Sequence, residues 1–456
     1  MIFRSIPNEA SGCIAYLVGC EREGVAAVID PGRPDLEQWH ALARAKNLTI
    51  THTLDTHIHA DHVSGARELA ESAGATLGLH EAADVRYPHT RFRDGDRLRL
   101  GTVELRILHT PGHTPESMSL VVTDAARGGE PWFVLTGDTL FVGDVGRPDF
   151  GGESAAGELH RSLFERLLPL GDAVEVYPAH GAGSLCGRAM SSKVSSTIGF
   201  ERRFNPALRH RDQEGFVRAL TESIPPRPPS MDRIIAKNRG VVMLHHPAPV
   251  RLEPRDLRDR LSAGSVLIDT RDPRVFGAGH VAGSLNVWID GPQFAERVAW
   301  FIPSDAALVI LVESEADVAR AIPALARVGL DEVAGYVVGT AAVRAAGLPV
   351  GTLTNVTVQE LAQRVAHERD LVILDVREPA EWADGHMPGA RHIPMRQVTE
   401  RLAEIPRDRR IALTCAGGTR SSLVGSLLLA RGFTDLINVW GGMTGWIQAG
   451  LPTARD

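Results

Sequence analysis

The sequence is poor in cysteine and contains no long hydrophobic run. Four cysteines occur among 456 residues, so the reduced thiols of a cytoplasmic protein are expected rather than a disulfide framework. Apolar runs such as Leu423–Ala430 are far too short to cross a bilayer. The N-terminus lacks the basic segment and apolar stretch of a secretory signal. These absences predict a cytoplasmic protein that does not interact with a membrane.

An excess of basic residues is also missing. Acidic residues number 56 against 49 Lys and Arg, which gives a formal net charge of −7. A nucleic-acid backbone is therefore not expected as the main partner. The hydrophobic fraction of 43% and the charged fraction of 23% are those of an ordinary globular protein. The length allows about two to four domains.

An internal repeat organises the second half of the chain. A segment that starts at Leu267 (LIDTRDPRVFGAGHVAGSLNV) aligns without gaps with one that starts at Ile373 (ILDVREPAEWADGHMPGARHI), at an offset of about 106 residues. The matched residues include Asp269 with Asp375, Arg271 with Arg377, and His280 with His386. Each copy opens with a strand and continues into turns and helices, as in an α/β unit. The repeat predicts three domains, which cover residues 1–245, 250–350 and 355–456.

Ligand-type side chains are concentrated in the first of these domains. An apolar stretch, Leu48–Leu54, runs into THIHADH (residues 56–62), which predicts a strand, a loop and a helix that opens near Val63. Other histidines and an aspartate follow further apolar runs. Strand-end loops commonly place site residues, and imidazole and carboxylate suit zinc or iron. The candidate metal-site residues are His57, His59, Asp61, His62, His113, Asp138 and His180. Isolated surface histidines are the alternative, and the clustering argues against it.

A second kind of chemistry is indicated near the C-terminus. The predicted strand RIALT (residues 410–414) ends in Cys415-Ala416-Gly417-Gly418-Thr419-Arg420, and a helix follows. Backbone N–H groups, the helix dipole and Arg420 are expected to favour the thiolate of Cys415. The same loop would stabilise an anionic persulfide. Cys415 is therefore predicted to be a nucleophile for sulfane sulfur, with a buried structural cysteine as the alternative.

The first copy of the repeat departs from this pattern. After its matching strand, Leu308–Val312, it reads Glu313-Ser314-Glu315-Ala316-Asp317, and no cysteine occurs from residue 187 to 414. A cysteine persulfide cycle is therefore excluded there, and an acidic loop would repel anionic sulfur species. We predict that this copy is structural, binds a partner or connects the other two domains.

The histidine motif resembles the metallo-β-lactamase superfamily, which has an αββα sandwich. Within it, the stretch from Gly146 to Phe150 resembles the GRxDF element of persulfide (sulfur) dioxygenases. That resemblance implies one iron(II) per chain, held by His57, His113 and Asp138, with open positions for a persulfide sulfur and dioxygen. The other four candidates would orient the ligands and hydrogen-bond the reacting species, or bind a second metal as in glyoxalase II. Zinc and a binuclear centre stay open.

The segment around Cys415 resembles a rhodanese domain, together with DVREPAEWADGHMPGA upstream and NVWGGMTGW downstream. The resemblance implies a sulfurtransferase in which Cys415 and Arg420 are catalytic. Four residues separate these two, as in sulfurtransferases, whereas related phosphatases carry five. Phosphatase activity is therefore not expected.

Together these features predict an α/β protein: an N-terminal metallo-β-lactamase sandwich followed by two rhodanese-like domains, the first inactive. The expected reaction takes a thiol persulfide and dioxygen to sulfite, coupled to transfer of sulfur among thiosulfate, sulfite and thiol. The direction of that transfer is open. A glyoxalase II-like binuclear thioester hydrolase and a non-enzymatic sulfur carrier are the alternatives.

The identity of the thiol carrier stays open between glutathione, coenzyme A and a protein thiol. Candidate substrate-binding residues are Arg147, Asp149, Cys186, Arg202 and Arg203. For the last two, a solvated helix face is the alternative. Members of the superfamily often self-associate, but no residue here specifies a homo-oligomer interface.

Overall fold

The computed structural model describes residues 1–8, 11–148, 151–181, 190–222, 227–241, 248–303 and 306–455. The chain divides into two compact units. The first holds residues 1–245 together with 326–329, and the second holds residues 246–325 and 330–456. The three domain ranges given above stay a prediction. None of the helices in the described part of the chain has the length and apolar character needed to cross a bilayer.

The first unit is built from strands and short helices. Its strands are β1 (Ile2–Asn8), β2 (Cys13–Cys20), β3 (Val25–Ile29), β4 (Thr49–Leu54), β5 (Thr76–His80), β6 (Thr90–Phe92), β7 (Arg97–Leu100), β8 (Val103–His109), β9 (Met118–Asp124), β10 (Phe133–Gly137), β11 (Glu175–Pro178) and β12 (Ser196–Thr197). Its α-helices are α1 (Leu36–Ala45), α2 (Ala66–Ala73), α3 (Gly152–Arg161), α4 (Ile198–Phe204), α5 (Gln213–Thr221) and α6 (Ser230–Ala236). The helix predicted to open near Val63 is wrong by three residues, since α2 begins at Ala66.

Two six-stranded sheets of the described residues form a sandwich. Their strand orders are β1-β2-β3-β4-β5-β6 and β12-β11-β10-β9-β8-β7. In β2, Tyr16 and Val18 lie in the hydrophobic core shared with the second sheet. Ala15 and Leu17 lie in another core with Trp39 of α1. Because side chains alternate between the faces of a strand, β2 is buried on both sides, which confirms the predicted αββα fold.

The second unit repeats a parallel α/β arrangement. Its strands are β13 (Val266–Asp269), β14 (His280–Val281), β15 (Leu285–Asn286), β16 (Leu308–Val312), β17 (Val333–Val338), β18 (Val350–Gly351), β19 (Thr354–Thr357), β20 (Val372–Asp375), β21 (Arg391–His392), β22 (Ile411–Thr414) and β23 (Leu436–Trp440). The helices after residue 250 are α7 (Pro254–Ser262), α8 (Pro273–Ala278), α9 (Phe294–Phe301), α10 (Glu315–Arg327), α11 (Ala341–Ala345), α12 (Val358–His367), α13 (Pro379–Ala383), α14 (Thr419–Ala430) and α15 (Gly442–Gln448). The two parallel sheets have the orders β15-β13-β16-β17 and β19-β23-β22-β20-β21.

The residues that repeat in sequence have equivalent structural roles. In the first copy, Arg271 donates from Nε to Asp269 Oδ1 at 2.8 Å and from Nη2 to Gly279 O at 3.0 Å. In the second, Arg377 donates from Nη2 to Asp375 Oδ2 at 2.7 Å and to a matching glycine carbonyl at 2.9 Å. Both pairs are buried. The repeated Asp and Arg therefore hold together the loop after the first strand of each copy.

The loops that follow β16 and β22 differ in length. In the second copy, residues 415–418 separate β22 from α14. In the first copy, only residues 313–314 separate β16 from α10. There, Asp317 Oδ2 accepts from the backbone N–H of Ser314 at 3.0 Å and from its hydroxyl at 2.8 Å. The first copy therefore lacks the loop as well as the cysteine.

We expect Arg271→Met to lower the free energy of unfolding by about 3–5 kcal/mol, because it leaves the buried Asp269 carboxylate without its cation. Urea denaturation of the full chain, followed by far-UV circular dichroism, measures the change. Arg255→Met is the control, since the Arg255 side chain is 87% exposed and its nearest ion-pair contact with Asp259 is 3.8 Å long. That control should change the free energy by at most about 0.5 kcal/mol. Equal effects of the two variants would contradict the structural role of the buried pair.

Candidate metal centre and cysteine loop

Three candidate ligands meet at the ends of strands in the first unit. His57 follows β4, His113 follows β8 and Asp138 follows β10 directly. One ligand-type atom from each lies within 4.8 Å of the other two. Asp138 Oδ2 is 3.8 Å from His57 Nε2 and 3.6 Å from His113 Nε2. All three side chains are buried, so the residues predicted to hold iron are close enough to share one ion.

Hydrogen bonds fix the ring nitrogen that each histidine presents. The hydroxyl of Thr56 donates to Asp30 Oδ2 at 3.0 Å, so it can only accept from His57 Nδ1, which is 3.0 Å away. His113 Nδ1 is 3.0 Å from the carbonyl of Arg147, which is an acceptor only. Both rings therefore carry their proton on Nδ1. Their Nε2 lone pairs are left for a metal, as is usual for histidine ligands.

The charge and hydrogen bonding of these three residues fit a bound cation. Asp138 Oδ2 is buried and has no hydrogen-bond partner among the described residues, which is costly unless a ligand occupies the site. Burial opposes ionisation of Asp138, yet His180 and His57 hold its pKa below the usual value. Burial, reinforced by His59, holds the pKa of His57 well below its usual value. A carboxylate beside neutral imidazoles is the form that binds metal.

A second cluster lies beside the first and is joined to it through His180. His180 Nδ1 is 2.5 Å from Asp138 Oδ1, and its Nε2 is 2.9 Å from Asp61 Oδ2. His62 Nδ1 is 3.2 Å from Asp61 Oδ1. The thiol of Cys13 lies 3.1 Å from Asp61 Oδ2. These four residues also have ligand atoms within 4.8 Å of one another, so they offer a second position for a metal.

Cys13 is a residue whose position the sequence did not indicate. It is the first residue of β2, its side chain is only partly buried, and it contacts the acidic residue of the histidine motif. Burial and Asp61 raise the pKa of Cys13, whereas His62 and His180 lower it, with a net decrease to about 7.

The middle histidine of the motif, His59, belongs to a third group. Its Nε2 is 3.2 Å from Asp30 Oδ1, and its ring centroid lies 4.2 Å from that of His57. Asp55 is in the same group and accepts from the Ser64 hydroxyl at 2.7 Å. Ligand atoms of Asp30, Asp55 and His59 lie within 4.8 Å of one another, and the buried Nδ1 of His59 has no hydrogen-bond partner among the described residues.

Distant side chains hold the histidine loop in place. Glu116 Oε1 accepts from the backbone N–H of Ile58 at 2.8 Å. The amide nitrogen of Asn238 donates to the carbonyls of His59 and His62, both at 2.8 Å. Glu116 lies three residues after His113, whereas Asn238 lies in no motif, so the sequence contained no signal for the role of Asn238.

Two glycines allow the strands to approach at this site. Gly137 has φ of +51°, and a Cβ there would lie 2.6 Å from Thr56 Oγ1. A Cβ on Gly146 would lie 2.0 Å from the carbonyl oxygen of Asp138. The glycine of the GRxDF element therefore permits a close approach of the backbone to Asp138.

The candidate substrate-binding residues are scattered. Arg147 is buried and presents its carbonyl to His113. Arg202 forms an ion pair with Asp172 at 3.0 Å, and the Arg203 guanidinium lies 5.2 Å from the centroid of the Phe204 ring. Both arginines are exposed on α4, as the solvated-face alternative predicts. The other two candidates, Asp149 and Cys186, lie outside the described residues.

The cysteine loop of the second unit surrounds the Cys415 thiol with donors. Cys415 is buried, and Sγ accepts from the backbone N–H of Gly418 at 3.0 Å and from the Ser421 hydroxyl at 3.4 Å. The carbonyl of Cys415 accepts from Met443 N at 2.7 Å. A Cβ on Gly442 would lie 2.2 Å from that carbonyl oxygen. Two hydrogen-bond donors thus point at the sulfur atom, and Ser421 is a donor that the sequence did not reveal.

Arg420, predicted to be catalytic, is paired with a carboxylate. Its Nη1 is 2.6 Å from Glu381 Oε2, and its Nη2 is 2.7 Å from Glu381 Oε1. Burial opposes the charge on the guanidinium, yet Glu381 and Cys415 raise the pKa of Arg420 above its usual value. The residue is therefore permanently charged beside the thiol, with much of its charge neutralised by Glu381.

Comparison with known proteins places both sites in families. Residues 10–180 match the Metallo-beta-lactamase superfamily, and residues 253–346 and 357–449 each match the Rhodanese-like domain. The crystal structure of a metallo-beta-lactamase from Staphylococcus aureus subsp. aureus COL superposes with a TM-score of 0.67 at 31% identity, covering 74% of this chain and 99% of that chain.

Two named enzymes are similar to the first unit. The mitochondrial persulfide dioxygenase ETHE1 of Homo sapiens is 27% identical over 241 residues, which is 52% of this chain and 87% of that protein. A hydroxyacylglutathione hydrolase of Polaromonas sp. is 32% identical over 251 residues, covering 49% of this chain and 92% of that protein. The chain therefore belongs to the metallo-beta-lactamase superfamily and carries two rhodanese-like domains in its second half.

Proposed function

We propose that the first unit is an iron-dependent persulfide dioxygenase and that Cys415 transfers sulfane sulfur. The oxidation converts RSSH, dioxygen and water into RSH, sulfite and two protons. The thiol RSH is a low-molecular-weight carrier of the glutathione or coenzyme A type. The similarity to a persulfide dioxygenase supports this assignment, as does the presence of a rhodanese-like domain with an intact cysteine loop.

The buried group of His57, His113 and Asp138 is the observation that carries the proposal. Two imidazoles and one carboxylate are the donor set of mononuclear non-haem iron(II) oxygenases. When bound there, iron(II) would supply the redox chemistry toward dioxygen and a site for the persulfide sulfur.

The surrounding residues hold this donor set in one arrangement. His180 engages Asp138 Oδ1 at 2.5 Å, so Oδ2 is the carboxylate oxygen left for the ion. Thr56 and the carbonyl of Arg147 keep a proton on Nδ1 of each ligating ring. Burial of all three ligands keeps bulk water away from the reacting groups.

Sulfur transfer at Cys415 requires no external oxidant. The thiolate attacks the outer sulfur of thiosulfate, and a new S–S bond forms on Sγ. The S–S bond of thiosulfate breaks, and its electron pair leaves with sulfite. The Gly418 N–H and the Ser421 hydroxyl already donate to Sγ, so they are placed to stabilise sulfur that carries negative charge. The reverse step would make thiosulfate from the sulfite produced in the first unit.

A thioester hydrolase is the second candidate function. The cluster of Cys13, Asp61, His62 and His180 next to the first group favours it, because two adjacent metals can generate a bound hydroxide. The similarity to a hydroxyacylglutathione hydrolase also supports it. It predicts about two metals per chain and no oxygen consumption.

Oxygen uptake by anaerobically purified, iron-loaded protein tests the proposal. With glutathione persulfide, or with coenzyme A persulfide, we expect one sulfite per dioxygen consumed, measured with an oxygen electrode and a sulfite assay. Activity should follow iron content at about one per chain. No uptake with either persulfide, together with hydrolysis of S-lactoylglutathione, would instead establish the hydrolase.

A further inference from the structure

One face of α14 is contacted by the cysteine-free copy of the repeat. Thr419, Ser422 and Ser426 are spaced by three and four residues, so they lie on the same side of this helix. The Ser422 hydroxyl donates to Asn286 Oδ1 at 2.6 Å, and the Ser426 hydroxyl accepts from Asn286 N at 2.9 Å. Arg297 Nη1 donates to Thr419 Oγ1 at 3.1 Å. The first copy therefore packs polar groups against the helix that begins at the cysteine loop.

Arg297 is the charged member of this contact. Arg297 lies on α9 and is only 9% exposed. Its Nε has no hydrogen-bond partner among the described residues. Within the described chain it forms no ion pair with a carboxylate, unlike Arg420, which Glu381 engages through both oxygens. A buried guanidinium with donors to spare is unfavourable unless an anion binds it.

The electrostatic surroundings connect Arg297 to the reactive thiol. Burial lowers the pKa of Arg297 to about 10; the nearby Arg420 adds to the decrease, whereas Cys415 and Glu296 oppose it. The guanidinium therefore remains positively charged at neutral pH and interacts electrostatically with Cys415. Its partner Thr419 is the first residue of α14, four positions after Cys415.

We propose that Arg297, supplied by the cysteine-free copy, completes an anion-binding site at the Cys415 loop for the oxygens of a sulfur oxyanion such as thiosulfate or sulfite. Arg297 would bind the sulfonate end, and the loop would hold the outer sulfur at Sγ. This gives the copy without a cysteine a role in substrate binding. The inference rests on the proposed sulfur transfer for its choice of anion.

Thiosulfate binding to Cys415→Ser, measured by isothermal titration calorimetry on the full chain, tests this site without turnover. Adding Arg297→Gln should weaken binding about tenfold, equivalent to about 1.4 kcal/mol. Arg297→Lys keeps the charge and should lose less than about threefold. Arg255→Gln removes an exposed charge from the same copy and should leave binding within about twofold. Arg297→Met, which introduces no polar group, replaces the glutamine variant if that one does not fold.

Steady-state sulfur transfer from thiosulfate to cyanide gives the second readout, with Cys415 intact. An anion site predicts a KM for thiosulfate about tenfold higher in Arg297→Gln, with kcat changed less than about threefold. Unchanged binding and KM, or a loss of kcat that follows a lower melting temperature, would overturn the inference. Binding that depends on Arg297 without any transfer in the unsubstituted protein would instead overturn the proposed transfer and leave the anion site standing.

Discussion

Replacing His113 with alanine is expected to abolish oxygen uptake with glutathione persulfide, by at least about 10³-fold. The reason is geometric. Among the described residues, the ligand group at this position consists of three side chains, those of His57, His113 and Asp138. His113 Nε2 lies 3.6 Å from Asp138 Oδ2. Two remaining donors bind iron(II) weakly, so the metal content measured by mass spectrometry should fall together with the oxygen uptake.

His210→Ala is the matched control for that experiment. His210 is exposed, lies in the same unit and belongs to none of the three ligand groups. Its removal should leave both iron content and oxygen uptake within about twofold. Full activity of His113→Ala would contradict the assignment of His113 as a ligand. Loss of activity with retained iron would show that His113 serves the reaction in another way.

Replacing Cys415 with serine is expected to abolish sulfur transfer from thiosulfate, also by at least about 10³-fold. The hydroxyl of serine is not ionised at neutral pH and cannot form a persulfide. Oxygen uptake with added glutathione persulfide should stay within about twofold, because that substrate needs no transfer step. Cyanide-dependent thiocyanate formation and the oxygen electrode measure the two activities on the same sample.

Cys20→Ala controls for the loss of a thiol. Cys20 is buried in the core of the sandwich, so its removal should spare both activities. Transfer that survives in Cys415→Ser would place the persulfide on another cysteine. A parallel loss of oxygen uptake would mean that the iron centre receives its sulfur only through Cys415.

Most of the fold follows from periodicity in the sequence. The strand at Leu308–Val312 was predicted with the bounds that the structure has. Strand β2 reads as a continuous apolar run because a helix layer covers one of its faces and a second sheet covers the other. Local patterns suffice there, since burial on both faces leaves little choice of residue type.

The sequence predicts only part of the candidate site. Asp138 and His180 follow β10 and β11, which run parallel, so their placement at one edge could be anticipated. The proton positions could not, because they depend on Asp30 and on a backbone carbonyl at residue 147. Asn238, which holds the histidine loop, is 176 residues away from His62 in the chain.

The contact between Arg297 and Thr419 could not be predicted from the sequence either. The two residues are 122 positions apart, and the sequence around Arg297 resembles any amphipathic helix. An acidic loop and a missing cysteine indicated only that the first copy has no chemistry of its own. Its contribution to the second copy depends on how the two pack, and that packing leaves no local pattern in the sequence.

Because the turn after β16 is shorter than the Cys415 loop, the first copy could not easily gain a reactive cysteine of its own. A single Glu313→Cys change would place a thiol in a connection of only two residues. The connection that holds Cys415 in the active copy has four. The shorter turn has too few backbone N–H groups to enclose a sulfur anion, and Asp317 would repel it. Regaining a second reactive centre would therefore require an insertion as well as a substitution. Evolution by point mutation alone would keep this chain at one reactive thiol loop per pair of copies.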